Sequence, residues 1–388
     1  MAFLSGPIDR SIVLVVVVLA LSCSCSVYGW FTKTVGFVGF VAVLMHTLMY
    51  LYRYSSCIAE ALATKVPSLA TVPQKIRQFQ GLVDNDGIGL GFPVPERSVR
   101  RPQVLITGGA MGLGYQTATA FVALGHDIVI WDINPTALRE AQDKLVALAK
   151  GRSAIRTAVV DVSSEESVNA AIAASSQCFS SSPVVRFWSP DIVILNAGLV
   201  NGKSIQDTTT AALQRLFAVN VFQLFHVTRA LLPEFIRDCT RRRHIVVIGS
   251  IAGFAGAKSL ADYTASKAAA NIFTEALQME IQNYNHLSAT LVCPYLIDTG
   301  MFAGTGRLAM IPPLTPDEVA QHIIRSVQYR RRLVVIPWLF NAFVGVKALL
   351  PTEVMKYIAM ILGAHSAMNT FTGRAPAPAA TPSDKKTE

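Results

Sequence analysis

From Gln103 onward, short β-rich runs alternate with helical patterns, and a glycine cluster sits between the first run and the first helix. The runs are VLIT at 104–107, IVIW at 128–131, AVV at 158–160, IVIL at 192–195, IVVI at 245–248 and ATLV at 289–292. Runs of four or so apolar residues joined by helical stretches fit parallel strands with crossover connections. The order predicts an α/β domain with a doubly wound parallel sheet, helices on both faces, and ligands held beyond the carboxyl ends of the strands.

Residues 107–114 read TGGAMGLG and stand between a strand and a helix that continues through Leu124. Gly108, Gly112 and Gly114 let the backbone turn tightly and approach a pyrophosphate, while Leu113 and its neighbours open the helix whose free amides meet the charge. That context makes the domain Rossmann-type. The second strand ends at Asp132, whose carboxylate can accept hydrogen bonds from adenosine ribose hydroxyls and repel a 2′-phosphate, favouring NAD over NADP; the same residue could instead cap the turn before Asn134-Pro135. Asp161 and Val162 close the third strand, where Asp161 can meet the adenine edge or cap a helix starting near Glu165. Asn196, Ala197 and Gly198 supply small residues where a cofactor passes close to the backbone.

The run IVVI leads to Gly249-Ser250, and the next helix carries YTASK at 263–267. Residues four apart share a helix face, so Tyr263 and Lys267 converge. A tyrosine is a poor base at neutral pH, and an adjacent ammonium should stabilise its phenolate and bring it toward working range. Ser250 can donate to a substrate oxygen during hydride transfer, and Asn220 can hold a water chain near Lys267. Singly these residues have ordinary explanations as a helical pair, a turn residue and a polar helix residue. Jointly, beyond a phosphate loop, they point to proton and hydride transfer.

TGGAMGLG, NAG, Asn220, Ser250 and YTASK stand in the order and spacing of the short-chain dehydrogenase/reductase superfamily, which the chain resembles over about 103–337. IVIWDIN, LVCPYLIDTGMF, PPLTPDEVA and VKALLPTEVMKYIAMILGA are similar to its membrane-bound branch of retinol and 17-beta-hydroxysteroid dehydrogenases. The resemblance implies catalytic roles for Ser250, Tyr263, Lys267 and Asn220, and a nicotinamide covered by Pro294, Ile297 and Thr299. The sequence departs from the family pattern twice: Leu195 replaces the first Asn of NNAG, and Gly109 stands where Ala is common. Neither position carries a proton or hydride, so the departures bear on local stability and cofactor affinity.

A hydrophobic fraction of 52% against 15% charged residues is high for a soluble chain of 388 residues, and the excess lies mainly at the N-terminus. Residues 11–31 are nearly uncharged and long enough to cross roughly 30 Å of hydrocarbon as a helix. A second apolar run, 34–52, fits a hairpin, a second span or an interfacial segment. Residues 1–55 therefore read as a membrane anchor, with a cleaved signal peptide as the competing reading. Residues 56–100 read as a linker, 101–338 as the catalytic domain with a substrate loop near 299–315, 339–370 as an apolar helical extension broken at Pro351, and 371–388 as a tail without fixed structure.

The net charge of +9 is spread out, with runs only at 241–243 and 330–332. These read as a solvated face, or as contacts to anionic lipid, and not as a nucleic-acid site. The six cysteines form no C-x-x-C pair and no zinc pattern, so no metal site is expected, and free thiols fit a reducing compartment; Cys23, Cys25 and Cys57 could be acylated. The whole predicts a membrane-associated, NAD-dependent oxidoreductase of lipophilic alcohols or ketones. Its location would be the endoplasmic reticulum or a lipid droplet, with its catalytic domain facing the cytosol, and the extension at 339–370 would pack in the core, dock on the membrane or form a homodimer. A membrane or lipid-droplet protein using the fold for binding and targeting is an alternative, as is a nucleotide-sugar epimerase or dehydratase, whose GxxGxxG loop residues 108–115 do not match.

Overall fold

Alternate residues of the central strands face two different helical layers, and this decides the architecture. The computed structural model describes residues 101–179, 189–306, 311–338, 340–341, 343, 347, 350–361 and 366–373. Two units divide the chain, Met1–Val94 and Pro95–Glu388, and all described residues belong to the second. The apolar runs 11–31 and 34–52 and the linker lie outside the described residues.

Strands β1 (Gln103–Thr107), β2 (Asp127–Asp132), β3 (Ile155–Val159), β4 (Ile192–Leu195), β5 (Arg243–Ile248), β6 (Leu287–Pro294) and β7 (Leu333–Ile336) form one parallel sheet in the order β3-β2-β1-β4-β5-β6-β7. Helices α1 (Gly112–Ala123), α2 (Pro135–Ala149) and α7 (Pro316–Gln328) cover one face, where Ile106 and Ile130 meet Phe121, Leu145 and Ile323. Helices α3 (Glu165–Phe179), α5 (Gln223–Arg237) and α6 (Ala261–Glu280) cover the other, where Leu105 and Val129 meet Ile172, Leu231 and Leu277. The predicted doubly wound sheet is present, and the order reverses between β1 and β4, the place where such sheets open a crevice.

Helix α4 (Thr210–Phe217), a π-helical turn (Ala218–Phe222) and α5 run on as one helix, Thr210–Arg237. It is long and apolar enough to cross a membrane, yet Leu216, Val221, Leu224, Val227, Leu231 and Phe235 are buried in the domain. The basic runs are not simply a solvated face, as the sequence analysis has them. Arg243 is buried and pairs with Asp238 at 2.7 Å and Asp191 at 3.4 Å, because the first residue of an interior strand has no water to reach. Arg330 donates to Ser288 Oγ at 2.7 Å and to the Asn285 carbonyl at 2.8 Å.

Beyond β7 the chain forms α8 (Thr352–Ile361). Residues 366–370 form turns, not a continuation of the expected helix, and 371–373, expected to open the free tail, are held by hydrogen bonds from Thr372 N and Gly373 N to Ala303 O at 2.9 and 3.2 Å.

Candidate active site

Gly108 follows β1 with φ of 60°, a left-handed turn that a side chain resists. The turn brings Gly108 under the start of α1, where a methyl group at Gly114 would overlap the Gly108 carbonyl. Met111, the N-cap of α1, makes no side-chain capping bond, and the first turn holds no acidic residue. The amides of Gly112, Leu113 and Gly114 thus open a helix end suited to an anion. Asn196 clamps the turn from β4, its Nδ2 donating to the carbonyls of Thr107 and Gly108, each at 3.0 Å.

Asp132 accepts from the Ala110 and Asn134 amides, each at 3.1 Å. It is not the cap of α2: Asn134 takes that role, accepting from Thr136 N at 3.0 Å and Ala137 N at 3.1 Å. Nor does Asp161 cap α3, since it accepts from Ser163 N while Ser164 Oγ accepts from Ser167 N. Both carboxylates are left at the strand ends. They line, with Val162, Ala197 and Gly198, a cavity of about 1420 Å³ that also reaches Ser250, Tyr263, Lys267, Pro294, Ile297 and Thr299. Ile297 is pinned by a bridge to Leu314, which fixes the start of the segment over the site.

Tyr263 and Lys267 lie one turn apart on α6, both buried, with the ammonium 5.8 Å from the phenol ring centre. Lys267 Nζ donates to the Ile248 carbonyl at 2.8 Å, tying α6 to the end of β5. Ser250 begins the 3-10 turn Ile251–Gly253, its hydroxyl accepting from Ala252 N at 3.1 Å. Burial pushes the Tyr263 phenol up to about 12, with the Ser250 hydroxyl pulling the other way, and burial pulls Lys267 down to about 8. Desolvation of the phenolate is the dominant influence on Tyr263 in this enclosed site.

Asn220 lies in the π-helical turn, a distortion that commonly marks functional positions. Its Oδ1 accepts from Leu199 N at 2.7 Å, and its Nδ2 donates to Leu199 O at 3.0 Å and Ser266 Oγ at 2.9 Å. It thereby joins the loop after β4 to α6.

Three positioning residues escape the sequence analysis. Thr107 Oγ1 accepts from Asn196 N at 3.0 Å and Ala197 N at 3.1 Å and donates to Gln223 Oε1 at 3.1 Å. Asn271 Nδ2 donates to the Ser250 carbonyl at 3.3 Å. Asn271 was findable, since it extends the series Tyr263, Lys267 by one more step of four. Thr107 and Gln223, 116 residues apart, carry no such signal.

The sheet order and the glycine turn define a class first, the dinucleotide-binding α/β proteins. The uncapped helix end, the close approach at Gly114 and the carboxylate at the end of β2 fit a nicotinamide dinucleotide. Residues 102–307 match the family described as short chain dehydrogenase. The chain is 32% identical over 299 residues to short-chain dehydrogenase/reductase 3 of Homo sapiens, covering 76% of this chain and 94% of that protein. It is 32% identical over 288 residues to epidermal retinol dehydrogenase 2 of Homo sapiens, covering 72% and 88%. Among solved structures, a short chain dehydrogenase/reductase from Burkholderia phymatum in complex with NAD aligns with a TM-score of 0.56 at 22% identity, covering 66% of this chain and 95% of that one. A short-chain dehydrogenase from Sphingobium yanoikuyae in complex with NADPH aligns at 0.53 and 23% identity, with the same coverage. The chain belongs to the short chain dehydrogenase family, in the branch that holds the retinol dehydrogenases, and is an oxidoreductase.

Proposed function

We propose that this protein transfers hydride between NAD(H) and a lipophilic alcohol or ketone, a retinoid, steroid or long-chain lipid alcohol, with Tyr263 as acid and base. It rests on one observation: a single cavity joins the glycine turn and Asp132 to Ser250, Tyr263 and Lys267. The nicotinamide, when bound, supplies the hydride acceptor or donor.

The protein's own groups do the rest. Ser250 holds the substrate oxygen by a hydrogen bond; the Tyr263 hydroxyl gives that oxygen a proton in reduction, and in oxidation the Tyr263 phenolate takes the proton from the alcohol. A phenol near 12 is protonated at neutral pH, which suits donation to a ketone. Oxidation needs help from positive charge, and Lys267 supplies it, since an ammonium near 8 stays largely charged at pH 7. Asn220 holds the loop after β4 against α6 and keeps Lys267 placed. Pro294, Ile297 and Thr299 line the same cavity and would cover a bound nicotinamide.

NAD is favoured because Asp132 and Asp161 line the cavity with Ile133, Asn134, Val162 and Ser163, placing two carboxylates at the strand ends that would repel a 2′-phosphate. An apolar substrate is favoured by Leu260, Met301, Phe302, Phe340 and Phe343 in the same cavity. The apolar runs 11–31 and 34–52 support membrane association at the endoplasmic reticulum or a lipid droplet, with the catalytic domain toward the cytosol where nucleotide is abundant. A homodimer is supported by Phe225 and Phe273, which meet edge to face across α5 and α6, and by the exposed Phe222 of the π-helical turn and Ile272 and Met279 of α6.

The test is turnover of NAD(H) and NADP(H) by detergent-solubilised protein against retinol, a steroid, a long-chain alcohol and a nucleotide-sugar, beside Tyr263→Phe. NAD-linked oxidation of a lipid alcohol, lost in the variant, is expected. Nucleotide binding with no turnover of any panel member would sink the proposal in favour of a binding and targeting role.

A further inference from the structure

Residues 366–373 return to the site and lie against two loops at once. On the loop after β6, Gly306 N donates to Ala367 O at 2.6 Å, Thr372 N to Ala303 O at 2.9 Å, and Thr370 Oγ1 to Gly304 O at 2.6 Å. A methyl group at Gly304 would overlap the Thr370 carbonyl. On the loop after β4, Phe371 packs so closely on Gly202 that a methyl group there would overlap its ring. The segment is therefore a strap joining the two carboxyl-end loops between which the substrate half of the cavity opens.

Between its attachments the strap delivers one side chain to the reacting end. Met368 is 7% exposed and clusters with Leu216, Leu260 and Tyr263, against which Phe302 also packs. Phe302 meets the Tyr263 ring edge-on at 5.5 Å, and Thr305 Oγ1 lies 3.8 Å from Met368 Sδ. Ala367 and Met368 both line the cavity. The strap's buried residue lies outside both sheet cores, beside the proposed acid/base.

We propose that residues 366–373 form a fixed wall of the substrate site and that Met368 sets which alcohols reach Tyr263. The inference rests on the oxidoreductase reading of the same cavity and deepens it. An unbranched thioether fills irregular apolar space and packs well beside aromatic rings. Packed with Phe302 around Tyr263, it narrows the apolar space at the reacting end and should favour a slender or flat chain over a bulky group on the carbinol carbon. Hydrophobic slots of this kind discriminate about 10- to 200-fold for each methylene.

The experiment uses the full chain in detergent, as wild type, Met368→Ala, Met368→Phe and Phe371→Ala. Each is assayed with NAD against linear primary alcohols and against secondary alcohols carrying a ring on the carbinol carbon. Met368→Ala should raise kcat/KM for the ring-bearing alcohols relative to the linear ones by about tenfold or more, and Met368→Phe should lower it. Phe371→Ala, which unties the strap from Gly202, should raise KM across the panel and speed hydrogen exchange at 301–306. A ratio that stays within about twofold in both Met368 variants overturns the proposal. If the wild type turns over no alcohol, the oxidoreductase reading fails separately. The wall is then judged by calorimetric binding of the same alcohols and by exchange: altered preference in Met368→Ala with faster exchange in Phe371→Ala supports it, and no change in either overturns it.

Discussion

The Asp132 carboxylate accepts hydrogen bonds from the Ala110 and Asn134 amides, each at 3.1 Å, so one side chain at the end of β2 also ties down the glycine loop. Replacing it therefore acts in two ways. Asp132→Ser removes the negative charge and keeps a short acceptor, and should move preference toward NADP by about tenfold. Asp132→Ala also strips the Ala110 amide of an acceptor worth about 1.5–3 kcal/mol, so KM should rise for both nucleotides. Steady-state KM values for NAD and NADP in the two variants check this. An unchanged preference in Asp132→Ser would mean that the adenosine does not lie against β2.

Asn220 makes three hydrogen bonds that no smaller residue replaces. Asn220→Ala leaves the Leu199 amide without its acceptor at a cost of about 1–3 kcal/mol. It should lower the urea midpoint and reduce turnover at least about tenfold, since the loop after β4 lies beside Lys267. Asn220→Asp keeps the acceptor and loses the two donations, so it should recover part of the stability and little of the activity. Equal stability in the two variants would show that the Leu199 contact contributes nothing.

Gly109, where the family pattern has alanine, sits against β2: a methyl group there would lie 2.6 Å from Ile130 Cγ2. Gly109→Ala should destabilise the domain by about 1–3 kcal/mol through overpacking. Ile130→Leu removes the offending branch, so the double variant should be more stable than the two single effects predict. A thermodynamic cycle measured by denaturation gives the coupling directly. Strict additivity would mean that Ile130 is not what makes glycine necessary here.

Burial lowers Lys267 from 10.5 to about 8, which makes its charge a cost to folding near neutrality. Below pH 8 the lysine is charged in both folded and unfolded states and the cost is at its full value. As pH rises from 8 toward 10.5 the folded protein sheds the proton first, and the cost is relieved. In the nucleotide-free protein, Lys267→Met should therefore be more stable than wild type at pH 7, by roughly 3 kcal/mol at most, and the difference should shrink over that window. Denaturation of both proteins at pH 7 and pH 9.5 checks it. A difference that grows with pH would contradict the assigned direction.

Most strands were legible because their apolar runs are buried on both faces; β4, for example, coincides with IVIL. The third was placed at 158–160 and lies at 155–159, because at the sheet edge Arg156 and Thr157 are tolerated and Val159 is 62% exposed. Ser250, Tyr263, Lys267 and Asn220 were legible because local motifs carry them, and the cavity brings Ser250, Tyr263 and Lys267 together with the glycine turn. The strap was not legible: AHSAMNTFTG has neither helical nor strand period, and its partners at Gly202 and Ala303–Gly306 are distant in sequence. The burial-driven shifts of Tyr263 and Lys267 are not legible in the sequence, because helical spacing reports proximity and says nothing about how much water is excluded.

The helix Thr210–Arg237, long and apolar enough to span a bilayer, carries a consequence for topology. If it were counted as a pass, Gly108 before it and Tyr263 after it would fall in different compartments. Both line one cavity. Any map of this protein across a membrane must therefore keep the whole stretch from β1 to β7 on one side. A reporter fused after Arg237 should give the same sidedness as one fused just before Thr210.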